Sequence, residues 1–136
     1  MSALVDTSAW SLALRRTRKV EHPAGTALAT LIEKGDALML GLVRQELLSG
    51  MPDARSFDVL REYLRAFPDV MVQADDHEEA ALFYNRCRSR GIQGSAVDFL
   101  ICAVAARRDL PILTVDRDFP RYSRLLPIRL YPLSAT

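Results

Sequence analysis

Leu4-Val5-Asp6-Thr7-Ser8 is an apolar run that ends abruptly in a carboxylate and two hydroxyls. A strand through the middle of an α/β sheet is covered on both faces and reads as continuous hydrophobics, so a charge just past its end falls at the rim of the sheet. In open parallel sheets ligands bind outside that carboxyl rim. The form returns late in the chain, where Pro111-Ile112-Leu113-Thr114-Val115 runs into Asp116-Arg117-Asp118-Phe119. Two strands of this kind would each deliver an acid to the same edge.

Outward from Asp6, Thr7 or Ser8 is placed to cap a short helix beginning near Ala9-Trp10. Arg15-Arg16-Thr17-Arg18-Lys19 follows as a cationic cluster, and His22-Pro23 then opens a helix over 24–34 with Leu28, Leu31 and Ile32 at helical spacing. Ala37 to Leu40 reads as a short buried strand. In the helix over 42–49, Glu46 lies at intervals of three and four from Leu42 and Val43, so it is expected on the apolar side. Asp53 caps a helix carrying Phe57, Leu60, Leu64 and Phe67, and Val70-Met71-Val72 is a third strand candidate. Asp75 or Asp76 caps the next helix, which ends at Gly91. From Gly94 to Ala106 the only charged side chain is Asp98, and a helix apolar nearly all round is a buried one. Ile128 to Tyr131 reads as the last strand. Helices alternating with short strands imply a mainly parallel sheet of four or five strands with helices on both faces, and nothing in residues 1–136 reads as a linker between two domains.

A chain of 136 residues that is 49% hydrophobic buries a sizeable core without covalent staples. The net charge is only +1, although 16 of the 18 basic residues are arginine, so affinity for a polyanion must come from local patches. Cys87 and Cys102 suit neither a zinc site nor a disulfide framework, which favours a reduced cytoplasmic setting. No apolar run approaches the ~20 residues that span a bilayer, so no membrane is expected.

Four carboxylates stand out for their company: Asp6 and Asp116 at strand ends, Glu46 and Asp98 on apolar helices. Burial and like charges both oppose ionisation of such acids unless a cation joins them. Hard oxygen ligands without nearby Cys or His select magnesium or manganese. Each acid also has a structural explanation. Asp6 could cap the first helix, Ser95-Ala96-Val97-Asp98 has capping-box form, Glu46 could pair with Arg44, and Asp116 or Asp118 could cap the turn before Phe119. Their joint placement at rims and apolar faces is what independent caps do not require.

Read in order, Leu4-Val5-Asp6-Thr7-Ser8, helical Glu46, Ala96-Val97-Asp98-Phe99-Leu100-Ile101 and Leu113-Thr114-Val115-Asp116-Arg117-Asp118-Phe119 resemble the PIN-domain family along essentially the whole chain. The small members of that family are the VapC-type toxins of bacterial toxin-antitoxin pairs. The resemblance implies a three-layer α/β/α sandwich and a magnesium- or manganese-dependent endoribonuclease holding one or two ions per site. It makes Asp6, Glu46, Asp98 and Asp116 the acidic quartet, with Asp118 a fifth candidate and Thr114 and Ser8 orienting hydroxyls. It further implies a homodimer silenced by a cognate antitoxin. Helix faces around Leu42 to Leu48 and Phe57 to Leu64 offer apolar side chains for the subunit contact.

The chemistry needs no histidine base, because metal-bound water supplies the nucleophile; His22 and His77 both stand at helix starts. RNA phosphates would be met by Arg15, Arg16, Arg18 and Lys19, or by Arg117 and Arg121, with Trp10 and Tyr122 as candidate stacking surfaces, although Trp10 reads first as core or rim packing. Receiver-type and haloacid-dehalogenase-type phosphotransfer domains also place an Asp after the first strand. They call for a second acid two residues on, or an adjacent acid pair, and Ser8 occupies the first of those positions here. A binding module that keeps the fold without activity is the remaining alternative.

Overall fold

Ala3, Leu4 and Val5 are completely buried, and because successive strand residues point to opposite faces, both faces of this first strand must be covered. The computed structural model describes residues 1–14 and 22–133. Strand β1 (Ala3–Val5) leads into α1 (Thr7–Leu14), then α2 (Pro23–Glu33) and β2 (Ala37–Leu38). Next come α3 (Gly41–Ser49), α4 (Ala54–Leu64), α5 (Ala74–Ser89) and α6 (Ala96–Arg107). The chain closes with β3 (Pro111–Leu113), α7 (Asp118–Tyr122) and β4 (Arg129–Leu130).

All pairings are parallel and the strand order is β2-β1-β3-β4. The chain builds to one side of β1 with β2 and to the other with β3, so the topological switch point lies between β1 and β3. Their register, Leu4 beside Ile112 and Val5 beside Leu113, brings the residues that follow each strand into contact. Ile112 and Leu113 are as buried as β1, which makes this the covered centre of a doubly wound sheet. The α/β architecture read from the sequence is thus the one observed, with four strands. The Val70–Val72 candidate is not a strand: it is represented by a single bridge between Met39 and Asp69, with the Val70 N–H donated to the Met39 carbonyl.

Helix ends follow the turn chemistry with two changes. Asp53 caps α4 as expected, accepting the Ser56 N–H at 2.8 Å. Gln73, not Asp75 or Asp76, caps α5, and Asp76 closes the capping box from the third position. Asp76 is completely buried because it also receives Arg107 and Arg108 from the far end of α6, which ties the two helices together. The second change concerns α1. It begins at Thr7, and its first turn is closed by Asp6, whose Oδ1 accepts the Ala9 N–H at 3.1 Å; neither Thr7 nor Ser8 is the cap. His22 caps α2 through Nδ1, while His77 is exposed on α5. Among the described residues no helix is long and apolar enough to cross a membrane.

Candidate active site

Beyond the ends of β1 and β3 the hydroxyls of Ser8 and Thr114 join the two chain segments. Ser8 Oγ donates to Asp6 Oδ1 at 2.6 Å and accepts the Val115 N–H at 3.0 Å. Thr114 Oγ1 donates to Asp6 Oδ2 at 2.7 Å and accepts the Asp116 N–H at 3.0 Å. Each hydroxyl therefore reads one strand's backbone and the other strand's acid. The Asp6 carboxylate is 3% exposed and carries three donors, yet burial still raises its pKa, with Ser8, Thr114 and Ala9 opposing and Asp116 adding to the rise.

Three other acids converge more tightly. Asp98, Asp116 and Asp118 each offer a carboxylate oxygen, and these oxygens lie within 4.8 Å of one another. Asp98 comes from the first turn of α6, where Ser95 Oγ accepts its N–H at 3.0 Å. Its carboxylate does not turn back to close a capping box; it accepts the Tyr122 hydroxyl at 2.7 Å. Burial raises the Asp98 pKa, Tyr122 and Ser95 hold it down, and Asp116 and Asp118 push it up again. Asp116 Oδ1 accepts the Asp118 N–H at 2.9 Å, fixing one acid against the other. Arg121 reaches Asp118 Oδ1 only at 3.6 Å. Asp98 Oδ1, Asp116 Oδ2 and Asp118 Oδ2 have no donor among the described residues. Three hard oxygens so clustered, with only the 3.6 Å contact of Arg121 to offset their charge, fit a divalent ion of the magnesium or manganese kind.

The residues expected from sequence distribute as follows. Asp98, Asp116 and the fifth candidate, Asp118, are together. Asp6 stands behind Asp116, linked to it through Thr114. Glu46 is exposed rather than turned with the apolar side of α3, since Val43 and Leu47 take that face inward. It is nonetheless drawn toward β1, accepting the Thr7 hydroxyl at 2.6 Å. Arg44 does not pair with it; that guanidinium binds Asp69 and the carbonyls of Leu64 and Phe67. Tyr122 is not a stacking surface, being completely buried between Phe99 and Phe119, and Trp10 is equally buried against Phe67. Arg117 and Arg121 are exposed at the site, whereas Arg15, Arg16, Arg18 and Lys19 lie outside the described residues.

The role of Tyr122 as a donor to Asp98 was not read from the sequence. Its spacing of three from Phe119 was the available signal, because a five-residue helix with both on one side must bury them together. Gly94 is tied to the same feature. A Cβ there would collide with the Tyr122 hydroxyl and stand 2.9 Å from the Phe99 ring, so the backbone closes over the pair only as glycine.

Acids gathered at the switch point of a parallel sheet define a class: an α/β domain with an acidic centre at its carboxyl rim. A sequence model of the PIN domain matches residues 3–125, and the chain belongs to that family. Comparison with curated proteins gives no match. Solved structures with the same fold include FitAcB from Neisseria gonorrhoeae, at 19% identity and TM-score 0.72 over 96% of each chain. Another is VapBC2 from Rickettsia felis bound to a DNA fragment from their promoter, at 14% identity and TM-score 0.77 over 98% of this chain and 100% of that one. DNA-bound VapBC from Salmonella typhimurium matches at 14% identity and TM-score 0.77, over 96% and 97%.

Proposed function

We propose that this chain is a single-domain VapC-type toxin, a divalent-metal-dependent endoribonuclease that a cognate antitoxin silences. The observation that carries the reading is the convergence of Asp98, Asp116 and Asp118 within 4.8 Å at the rim of a PIN fold. PIN domains generally are nucleases that use a divalent ion. A further solved structure of this fold, at 21% identity and TM-score 0.66 over 87% of this chain and 90% of that one, is a toxin-antitoxin complex from Klebsiella pneumoniae, which supports an antitoxin as partner; a homodimer and a cytoplasmic location belong to the same proposal.

In this reading Asp98, Asp116 and Asp118 hold the ion directly. Asp6 lies within the same charged centre, and Asp6 and Glu46 would complete the ligand set. Ser8 and Thr114 fix Asp6 and the backbone of Asp116, and Tyr122 fixes Asp98. A bound magnesium or manganese ion supplies a water of lowered pKa and neutralises charge on the attacked phosphate. The chain's part is to present preorganised oxygens and to hold the phosphodiester against them through Arg117 and Arg121. A phosphotransfer domain would need an acid where Ser8 stands, and Ser8 is occupied in bridging the strands.

Purified antitoxin-free protein incubated with structured RNA and with single-stranded DNA tests the proposal. RNA should be cut with manganese and spared in EDTA, and Asp98→Asn should be inactive. Cutting in EDTA, or equal cutting by the variant, would remove the mechanism; absence of any cutting by folded wild type with manganese would favour a silent binding module.

A further inference from the structure

A recess of about 270 Å³ is lined by Tyr84, Arg88, Ile92, Gln93 and Gly94. It is tied to the centre through Gly94, whose backbone packs on the Tyr122 hydroxyl that donates to Asp98. The Gly94 backbone and the Tyr122 hydroxyl stand between the recess and Asp98.

The lining has the chemistry of a nucleotide site. Tyr84 is 39% exposed, and its ring is held edge-on by Phe99 at 5.6 Å and 81°, which makes it an oriented apolar surface rather than a free side chain. Arg88 is exposed and has no carboxylate partner among the described residues. Arg107 and Arg108 are engaged with Asp76 and Arg86 with the Leu125 carbonyl, while Arg117 and Arg121 stand on the Asp116–Asp118 side of the centre. Gln93, exposed at the mouth, supplies both a donor and an acceptor. A polyanion approaching four aspartates needs cations placed beside them, and Arg88 is an uncommitted one on this side.

We propose that this recess is a flanking-nucleotide subsite of the RNA groove, in which Arg88 binds the phosphate next to the scissile one and Tyr84 receives that nucleotide's base. The inference rests on the ribonuclease reading and specifies where its substrate is held. Stacking on an aromatic surface tolerates any base, so Tyr84 gives grip, and Gln93 gives the contact that discriminates between bases.

Binding is measured without metal, with wild-type protein in EDTA and a single-stranded RNA oligonucleotide of random sequence, over a range of salt concentrations. Loss of one phosphate contact to a single strand makes the slope of log affinity against log salt shallower by about 0.7, equivalent to roughly fivefold weaker binding at 0.1 M salt. Arg88→Ala should show both changes, Arg88→Lys should restore the slope, and Arg65→Ala, on the exposed end of α4, should show neither. Unchanged affinity and slope in Arg88→Ala, or the same change in Arg65→Ala, overturns the subsite. A parallel manganese cleavage assay separates the two claims. Cleavage by wild type with binding indifferent to Arg88 removes only the subsite, while Arg88-dependent binding without cleavage keeps the recess as an RNA-binding site and removes both the ribonuclease reading and the recess's place beside a scissile phosphate.

Discussion

Replacing Asp118 by Asn should make the metal-free protein more stable and the metal-loaded protein less so. The Asp118 oxygen lies within 4.8 Å of those of Asp98 and Asp116, so the substitution relieves two repulsive pairs at once. Asp118 is 46% exposed, which calls for water-like screening, and each pair then costs about 1 kcal/mol. Against this, the 3.6 Å contact to Arg121 is a surface pair worth roughly 0.5 kcal/mol. The net gain is about 1.5 kcal/mol, or about 4–7 °C in melting temperature for a chain of this length. Manganese at a hundredfold excess over its Kd should stabilise wild type by about 2.7 kcal/mol, and a tenfold weaker site in the variant cuts that to about 1.4 kcal/mol. Thermal melts of both proteins in EDTA and in manganese measure all four states, with no RNA in the assay. A lower melting temperature for Asp118→Asn in EDTA, or the full wild-type manganese shift in the variant, would refute the idea that these acids form a cation site.

Tyr122→Phe keeps the ring packing but deletes the donor to Asp98, one of the contacts that hold its pKa down, so half-maximal manganese binding should move to higher pH in a calorimetric titration. Asp76→Asn should cost about 3 kcal/mol in denaturant unfolding, because it leaves Arg107 and Arg108 without their buried partner, while cleavage by the folded fraction is unchanged. The Arg108 hydrogen bond, with help from Gln73 and Arg107, holds the Asp76 carboxyl far below its unfolded value of 3.8. The unfolded chain thus binds the extra proton first, so this contribution is present above pH ~4 and is lost as pH falls further; Asp76→Asn should flatten that acid limb.

The sheet centre was legible because burial on both faces leaves a plain trace, an uninterrupted apolar run closed by an acid. Leu4–Asp6 and Ile112–Asp116 carry that trace, and Asp98 carries its helical counterpart as the lone charge on an apolar helix. Val70–Val72 has the composition of a strand, but pairing depends on where Arg44 pins the preceding turn through Asp69, Leu64 and Phe67, and no local pattern records that. The expected apolar-side orientation of Glu46 is not observed for a related reason. Helical spacing says which residues share a side, but the tilt of α3 on its neighbours decides how far round the buried sector extends, and it stops at Val43 and Leu47. Tyr122 was misassigned because an aromatic near a nuclease site reads equally as core or as stacking surface until its hydroxyl is seen to have a partner.

Asp6 is where capping and metal chemistry meet, and they need not be alternatives. Its Oδ1 closes α1, and both its oxygens are held by hydroxyls that also fix the strand carrying Asp116. A cap at this position sets the angle at which α1 leaves the sheet, while the same carboxylate sets the spacing between β1's end and Asp116. If the acids are to close on a cation, Asp6 can move only by giving up a hydroxyl donor. Ser8 and Thr114 are suited to permit this, since a hydroxyl rotates where a backbone N–H cannot. The Ala9 N–H on Oδ1 is the contact that cannot follow by rotation, so a shift of Asp6 would be coupled to the start of α1.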